Sequence, residues 1–382
     1  MHGPISFWWL SHTVRFLLLL VLLLSTVVYY ISSILDASSL STKTSVWSQK
    51  WSSTTTKANT MTVKATHSIN TFKTISNEIV NNDRILVNAS KNMENVTSST
   101  VTGRTVKKRD FRTIKPLCPE VPPGLGPITA SKNELYLDYI EKKFPEVKSG
   151  GQYAPPNCTA RHKIAIIVPF RDRDQHLPIF LNHMHPFLMK QQLEYGIFVI
   201  EQYRYRSFNR GKLMNVGFVE SQNRKPGGWQ CFVFHDIDLL PLDERNLYYC
   251  PEYPLHMSVL IDKHDFKVSD MFGGVMVMTL EQFSIVNGFS NKFWGWGGED
   301  DDMHRRVQKM YYGFARYVNL PITKYIMLDH EEAFKNPFRF EILAQTKDSM
   351  EEDGLSTLNY KIVKVVKHHL YTQIIADIDK RN

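Results

Sequence analysis

Residues Phe293-Trp294-Gly295-Trp296-Gly297-Gly298-Glu299-Asp300-Asp301-Asp302 set two tryptophans, spaced by glycine, directly before four consecutive acids. Aromatic faces stack on the apolar side of a sugar ring, and glycines leave the backbone free to bend. Carboxylates accept hydrogen bonds from sugar hydroxyls and can take a proton from one of them. The same acids would also suit an exposed helix start.

Two basic loops come earlier. Phe170-Arg171-Asp172-Arg173 follows the apolar run 164–169, and Phe208-Asn209-Arg210-Gly211-Lys212 follows the run 196–200. Basic groups at the carboxyl end of a strand in an α/β sheet are placed to meet an anion such as a diphosphate. Asp236-Ile237-Asp238 follows a third apolar run, 231–234. In an extended chain residues i and i+2 face the same way, so Asp236 and Asp238 are expected to serve one site, and paired carboxylates there suit a hard divalent cation. Gly273 and Gly274 open the way to close approach of a ligand to the backbone in a strand read over 271–278. In Tyr325-Ile326-Met327-Leu328-Asp329-His330, chemistry alone points to Asp329 or His330 as a metal ligand rather than to a thioether.

The elements that must position these groups alternate. Short, continuously apolar runs ending in Pro or a polar loop predict buried parallel strands. Helices are expected after each basic loop, around 281–286, and from 300 to 316. This is an α/β pattern.

The formal charge of +8 suggests nucleic acid until it is located. Residues 36–115 hold thirteen Lys and Arg against five Asp and Glu, which leaves residues from 116 onward close to neutral. The excess belongs to a Ser/Thr-rich segment too polar to fold, and gives no reason to propose a nucleic-acid partner. The apolar run around residues 14–35 has the length of a membrane span and lacks a clear cleavage site, so a retained signal anchor is expected. The organisation read here is a cytoplasmic tail at 1–13, an anchor at 14–35, a stem at 36–115 and a luminal catalytic domain at 116–382. Sequons at Asn88, Asn95 and Asn157 agree with a luminal carboxyl-terminal bulk. Four cysteines, Cys118, Cys158, Cys231 and Cys250, suit two disulfides in an oxidising compartment. Three connectivities are open, and pairing in sequence order closes the shorter loops.

Taken together, the motifs at 170–177, 208–218, 236–238, 272–274 and 293–302 resemble the β-1,4-galactosyltransferase family, including members that transfer N-acetylgalactosamine. The resemblance implies an α/β fold of the GT-A type and an inverting, Mn2+-dependent transfer from a UDP-sugar to terminal N-acetylglucosamine, in a Golgi type II membrane protein. It implies that Asp300 is the base, that Glu299 and Asp301 hold acceptor hydroxyls, and that Asp238, Met327 and His330 bind the metal. Phe170, Arg171, Arg173, Phe208, Arg210, Asp236, Ile237, Asp238 and Lys263 would hold uridine and diphosphate, and Trp296 would swing over the donor. Arg339, Phe340 and Leu343, in a lid over 328–345, would line an N-acetyl pocket, and the cysteines would pair in sequence order. Met271 stands before Phe-Gly-Gly where galactose-transferring members carry Tyr, with Gly273 and Gly274 beside the sugar. A flexible thioether there leaves room for an acetamido group. The donor expected is therefore UDP-N-acetylgalactosamine, with UDP-galactose the alternative.

Overall fold

The apolar run after Lys163 forms an eight-residue strand, Lys163–Phe170, in which every residue after the first is buried. A strand buried on both faces needs a covering layer on each side. The computed structural model describes residues 115–204, 206–268, 272–311, 313–331 and 333–379, all within the unit Val106–Asn382. The expected anchor, nearly all of the stem, Asn88, Asn95 and Met271 lie outside the described residues. Among the described residues no helix is long and apolar enough to cross a membrane.

In chain order the strands are β1 (Gln152–Tyr153), β2 (Lys163–Phe170), β3 (Glu194–Gln202), β4 (Cys231–His235), β5 (Leu239–Pro241), β6 (Leu255–His256), β7 (Leu260–Ile261), β8 (Val275–Thr279), β9 (Lys324–Met327), β10 (Lys361–Lys367) and β11 (Thr372–Asp377). The helices are α1 (Leu137–Glu141), α2 (His176–Lys190), α3 (Arg210–Asn223), α4 (Leu280–Ile285), α5 (Glu299–Tyr311) and α6 (Arg339–Gln345). The main sheet runs β10-β11-β3-β2-β4-β8-β6, with β1 also paired to β3. Its centre, β11-β3-β2-β4, is parallel. β8 and β6 continue it antiparallel beyond β4.

Alternation along β2 builds the two cores. Ile164, Ile166 and Val168 pack with Phe180, Leu181 and Met184 of α2. Ala165 and Ile167 face the other way, toward Leu213 and Met214 of α3 and Met303 and Val307 of α5. The Asn209 side chain caps α3 by accepting from Lys212 N at 2.9 Å. At Gly217 α3 presses on the sheet so closely that an added Cβ would stand 2.3 Å from Ile167 Cγ2 and 2.9 Å from Ile200 Cγ1. Gly217→Ala should therefore cost about 1–3 kcal/mol in stability by overpacking. Urea unfolding monitored by circular dichroism checks this, since a Cβ that fitted would leave the midpoint unchanged or raise it.

A small sheet, β5-β9-β7, stands beside the main one. Disulfides join Cys118 to Cys158 and Cys231 to Cys250, the sequence-order pairing. The second ties the start of β4 to the loop that follows β5.

Two expected elements are shorter than read. The helix expected to reach residue 316 ends at Tyr311. Gly313 then adopts φ 142°, and the chain leaves to pair at Ala315 with Leu255. The strand read over 271–278 begins only at Val275. Gly274 takes φ 74°, and the Gly273 carbonyl accepts from two side chains, His256 Nε2 at 3.0 Å and Ser258 Oγ at 3.2 Å.

Candidate active site

Three elements converge where β4 ends. The amide of Asp236 donates to Gly274 O at 3.2 Å, which holds the end of β4 against the segment entering β8. Arg210, the first residue of α3, reaches across with Nε 2.6 Å from Asp236 Oδ1 and Nη1 2.6 Å from Asp300 Oδ1. Nη1 also lies 3.5 Å from Glu299 Oε1. Burial opposes charge on the guanidinium, but the three carboxylates more than offset it and raise its pKa. Nη2 of Arg210 is buried without a hydrogen-bond partner, so the guanidinium keeps a donor for an anionic ligand.

The four acids at the start of α5 do three different things, because successive helical residues point about 100° apart. Glu299 and Asp300 face Arg210. Asp301 is exposed. Asp302 turns into the core, 2.6 Å from Arg306 Nε, with both side chains 2% exposed. Burial raises the pKa of Asp300 and of Asp236; Arg210 lowers each, while the carboxylates near them raise it further. The Asp300 side chain keeps 30% of its surface, so water moderates that rise without removing it. Asp300 also explains Gly273, where a Cβ would stand 2.4 Å from Asp300 Oδ2. What approaches that backbone is the protein's own carboxylate.

Asp236 and Asp238 do not act as a pair on one face. The chain turns at Ile237 and Asp238, so Asp236 goes to Arg210 while Asp238 Oδ2 meets His330 Nε2 at 2.8 Å. They remain near enough for the charge of Asp238 to raise the pKa of Asp236. Ile237 is 6% exposed and packs into the core shared with α2. Pairing of Leu239 with Met327, and of Leu328 N with Asp238 O at 2.7 Å, sets β9 and its continuation beside Asp238. The other nitrogen of His330, Nδ1, lies 2.7 Å from Glu331 O. A carbonyl only accepts, so Nδ1 carries hydrogen and Nε2 is the nitrogen turned toward Asp238. That is how a metal-binding imidazole is oriented, and carboxylate plus imidazole is a donor set that Mn2+ accepts. Hydrogen bonding to Asp238 raises the pKa of His330. Asp329 is no ligand candidate here, since its carboxylate is 94% exposed and 3.6 Å from Lys132 Nζ.

Around this centre, Phe170 is buried at the end of β2. Arg171 lies over the Phe208 ring at 5.1 Å, and Arg173 Nη2 is 3.5 Å from His330 Nδ1. Lys263 sits in the helical turn Asp262–His264 after β7; Asp262 Oδ1 accepts from both Lys263 N and Met327 N at 2.8 Å. Gly295 N donates to Phe208 O at 2.7 Å, joining the tryptophan loop to the second basic loop. Trp296 is 53% exposed and bridges to Lys335. Arg339 lies over the exposed Phe340 ring at 4.2 Å, whereas Leu343 is buried.

The described chain matches two family models, one described as the N-terminal region of glycosyl transferase group 7, over residues 118–251, and one as the N-terminal domain of galactosyltransferase, over 255–331. It is 45% identical to β-1,4-galactosyltransferase 1 of Mus musculus over 270 residues, 69% of this chain and 67% of that one. The chain belongs to the β-1,4-galactosyltransferase family. It is also 42% identical to β-1,4-galactosyltransferase 4 of Homo sapiens over 268 residues, 68% of this chain and 76% of that one. The catalytic domain of Drosophila β-1,4-galactosyltransferase 7 in complex with xylobiose superposes with a TM-score of 0.50 at 31% identity, covering 58% of this chain and 95% of that one. A mutant of that enzyme, in complex with manganese, UDP-Gal and xylobiose, gives 0.51 at 30%, with the same coverage. The mixed sheet is thus the glycosyltransferase fold of GT-A-like galactosyltransferases.

One feature of this galactosyltransferase-family site went unread in the sequence. Arg306 gathers Asp302, the carbonyls of Val286 and Gly288, and Asp353 O at 2.8 Å, fixing α5 to the segment beyond the expected lid. The i, i+4 spacing of Asp302 and Arg306 was a signal for half of this cluster. Nothing local announces Asp353.

Proposed function

We propose that this family member is an inverting, Mn2+-dependent transferase that moves a galactose-type sugar from UDP in β-1,4 linkage to terminal N-acetylglucosamine, and that its donor site admits N-acetylgalactosamine. The observation that carries the reading is Asp300, a carboxylate of raised pKa at the head of α5, held by Arg210. Around the same turn, Asp238 and His330 meet. Inversion asks for that division: one group removes the acceptor proton while another place absorbs the charge of the departing UDP.

Asp300 takes the proton from the attacking hydroxyl, and Glu299 and Asp301 orient the acceptor. Arg210, with its unpartnered Nη2, donates to the diphosphate together with Arg171, Arg173 and Lys263. Asp238, His330 and Met327 would hold Mn2+, which when bound supplies Lewis acidity at the diphosphate. Trp296 and the Arg339–Phe340 pair cover the sugars, the glycines around Trp296 permitting that loop to move. The chain would act from a Golgi membrane, through the anchor and stem read in the sequence.

Met271 supports the acetamido donor, and the names of the relatives favour galactose. The deciding experiment compares kcat/KM for UDP-galactose and UDP-N-acetylgalactosamine, with Mn2+ and a terminal N-acetylglucosamine acceptor. Native chain and Met271→Tyr are measured side by side. Use of the acetamido donor should drop about 10–200-fold in the variant, the range one steric mismatch commands. A native chain that uses galactose alone would retire the donor assignment and leave galactosyl transfer standing.

A further inference from the structure

His235, Asn246, Tyr248 and Tyr325 are polar residues, each with no exposed surface, in the core beneath the site. They form one continuous chain. His235 Nδ1 lies 2.8 Å from Asp236 O, His235 Nε2 lies 3.0 Å from Tyr248 Oη, Tyr248 Oη lies 3.0 Å from Tyr325 Oη, and Asn246 Nδ2 lies 3.1 Å from Tyr325 Oη.

Chemistry fixes the direction of every link. The Asp236 carbonyl only accepts, so His235 Nδ1 carries hydrogen. Burial pushes the imidazole pKa down to about 4, so the ring is neutral near pH 7 and Nε2 accepts from Tyr248. Tyr248, having given its proton, accepts from Tyr325, and Tyr325 accepts from the amide of Asn246. No link can reverse without stranding a buried donor or acceptor, which costs about 1–3 kcal/mol.

The ends of this chain matter more than its middle. Asp236 O also accepts from Leu239 N at 3.3 Å, so His235 and Leu239 together pin the turn that carries Asp238. Tyr325 lies on β9, two residues before Met327, paired with Pro241 on β5. Tyr248 is fixed independently, its amide donating to Gln191 Oε1 at 2.9 Å in a loop tied to β4 through Cys250. Phe180 and Phe187 pack edge-on against His235 and Tyr248 at 5.1 and 5.2 Å between ring centroids.

We propose that His235 is a positioning residue: through Tyr248 and Tyr325 it locks the 236–238 turn to β9, so that Asp238, in that turn, and His330, just beyond the end of β9, meet at one point. The inference rests on the metal-binding reading above. An apolar residue at 235 could fill the same volume but could not hold the Asp236 carbonyl.

The test uses the full chain and measures Mn2+ affinity by calorimetric titration in the presence of UDP, with thermal unfolding alongside. His235→Phe keeps the ring and removes both nitrogens. Its Mn2+ dissociation constant should rise about 10–100-fold, as when the outer partners of metal ligands are removed, while kcat at saturating Mn2+ changes far less. His235→Asn returns a donor near the place of Nδ1 and should recover most of the affinity. Tyr248→Phe removes a single oxygen and should shift affinity in the same direction, so it carries the test if His235→Phe does not fold. A folded variant, whichever of these two is used, that binds Mn2+ within twofold of native would overturn the proposal and leave the chain of polar groups to packing alone. If native protein shows no Mn2+-dependent UDP binding, the proposed function itself fails, which is a separate and distinguishable result.

Discussion

Asp300→Asn should lower kcat by about 10²–10⁴-fold, the usual worth of a positioned general base, with Mn2+ and UDP affinities nearly unchanged. The amide keeps the shape of the carboxylate but cannot take a proton from the acceptor hydroxyl. The pH dependence adds an independent check. Burial holds the Asp300 pKa above the ordinary carboxylate value, Arg210 partly opposes this, and Glu299 and Asp236 reinforce it. A base works only when deprotonated, so activity must rise with pH and fall as acid protonates it. The acid limb of kcat/KM, which reports the free enzyme, should therefore lie well above the ~4 of an exposed carboxylate. A variant retaining a tenth or more of native kcat would mean that another group takes the proton.

Arg210→Ala should be the most damaging single change to stability in the site, about 3–5 kcal/mol, toward the lower figure because Asp236 and Asp300 keep 28% and 30% of their side-chain surface. The loss arises because Asp236, Asp300 and Glu299 would then crowd together with no cation among them. Without Arg210 the two aspartates lose the influence that lowers their pKa values, leaving burial and mutual repulsion to raise them further. A carboxyl whose folded pKa lies above its unfolded value contributes stability that is present at low pH and lost as pH rises through the folded pKa. The variant should thus lie closest to native near pH 5 and farthest at pH 8, and activity should vanish throughout. Chemical unfolding at both pH values reads this, and a deficit independent of pH would assign Arg210 to packing instead.

Much of this was legible in the chain itself. β2, β3 and β4 announced themselves as continuous apolar runs, because strands buried on both faces cannot alternate. The basic loops were read from their place after those strands, and the acidic cluster from its tryptophans and glycines. Less legible were points where a local rule met a tertiary demand. Asp236 and Asp238 escape the i, i+2 rule because the strand stops at His235 and the chain turns. Of the two ligand candidates Asp329 and His330, only His330 turns to Asp238, the Asp329 carboxylate being 94% exposed, while Asp302 became a buried ion pair. Gly273 read as room for a ligand, and the structure fills that room with Asp300.

The α/β alternation, the disulfide arithmetic, the location of the excess positive charge in residues 36–115 and the resemblance to the family were all written along the chain, since each depends on composition or on close neighbours. Folding in three dimensions sets which two of four adjacent acids face Arg210, brings Asp238 to His330, and ties His235 to Tyr325 through Tyr248. These are contacts between residues far apart in sequence, 90 residues for Arg210 and Asp300, or links in a chain through the core, set by strand register and helix rotation. A shift of one residue in either would send the side chain elsewhere, and no local pattern in the sequence records that register.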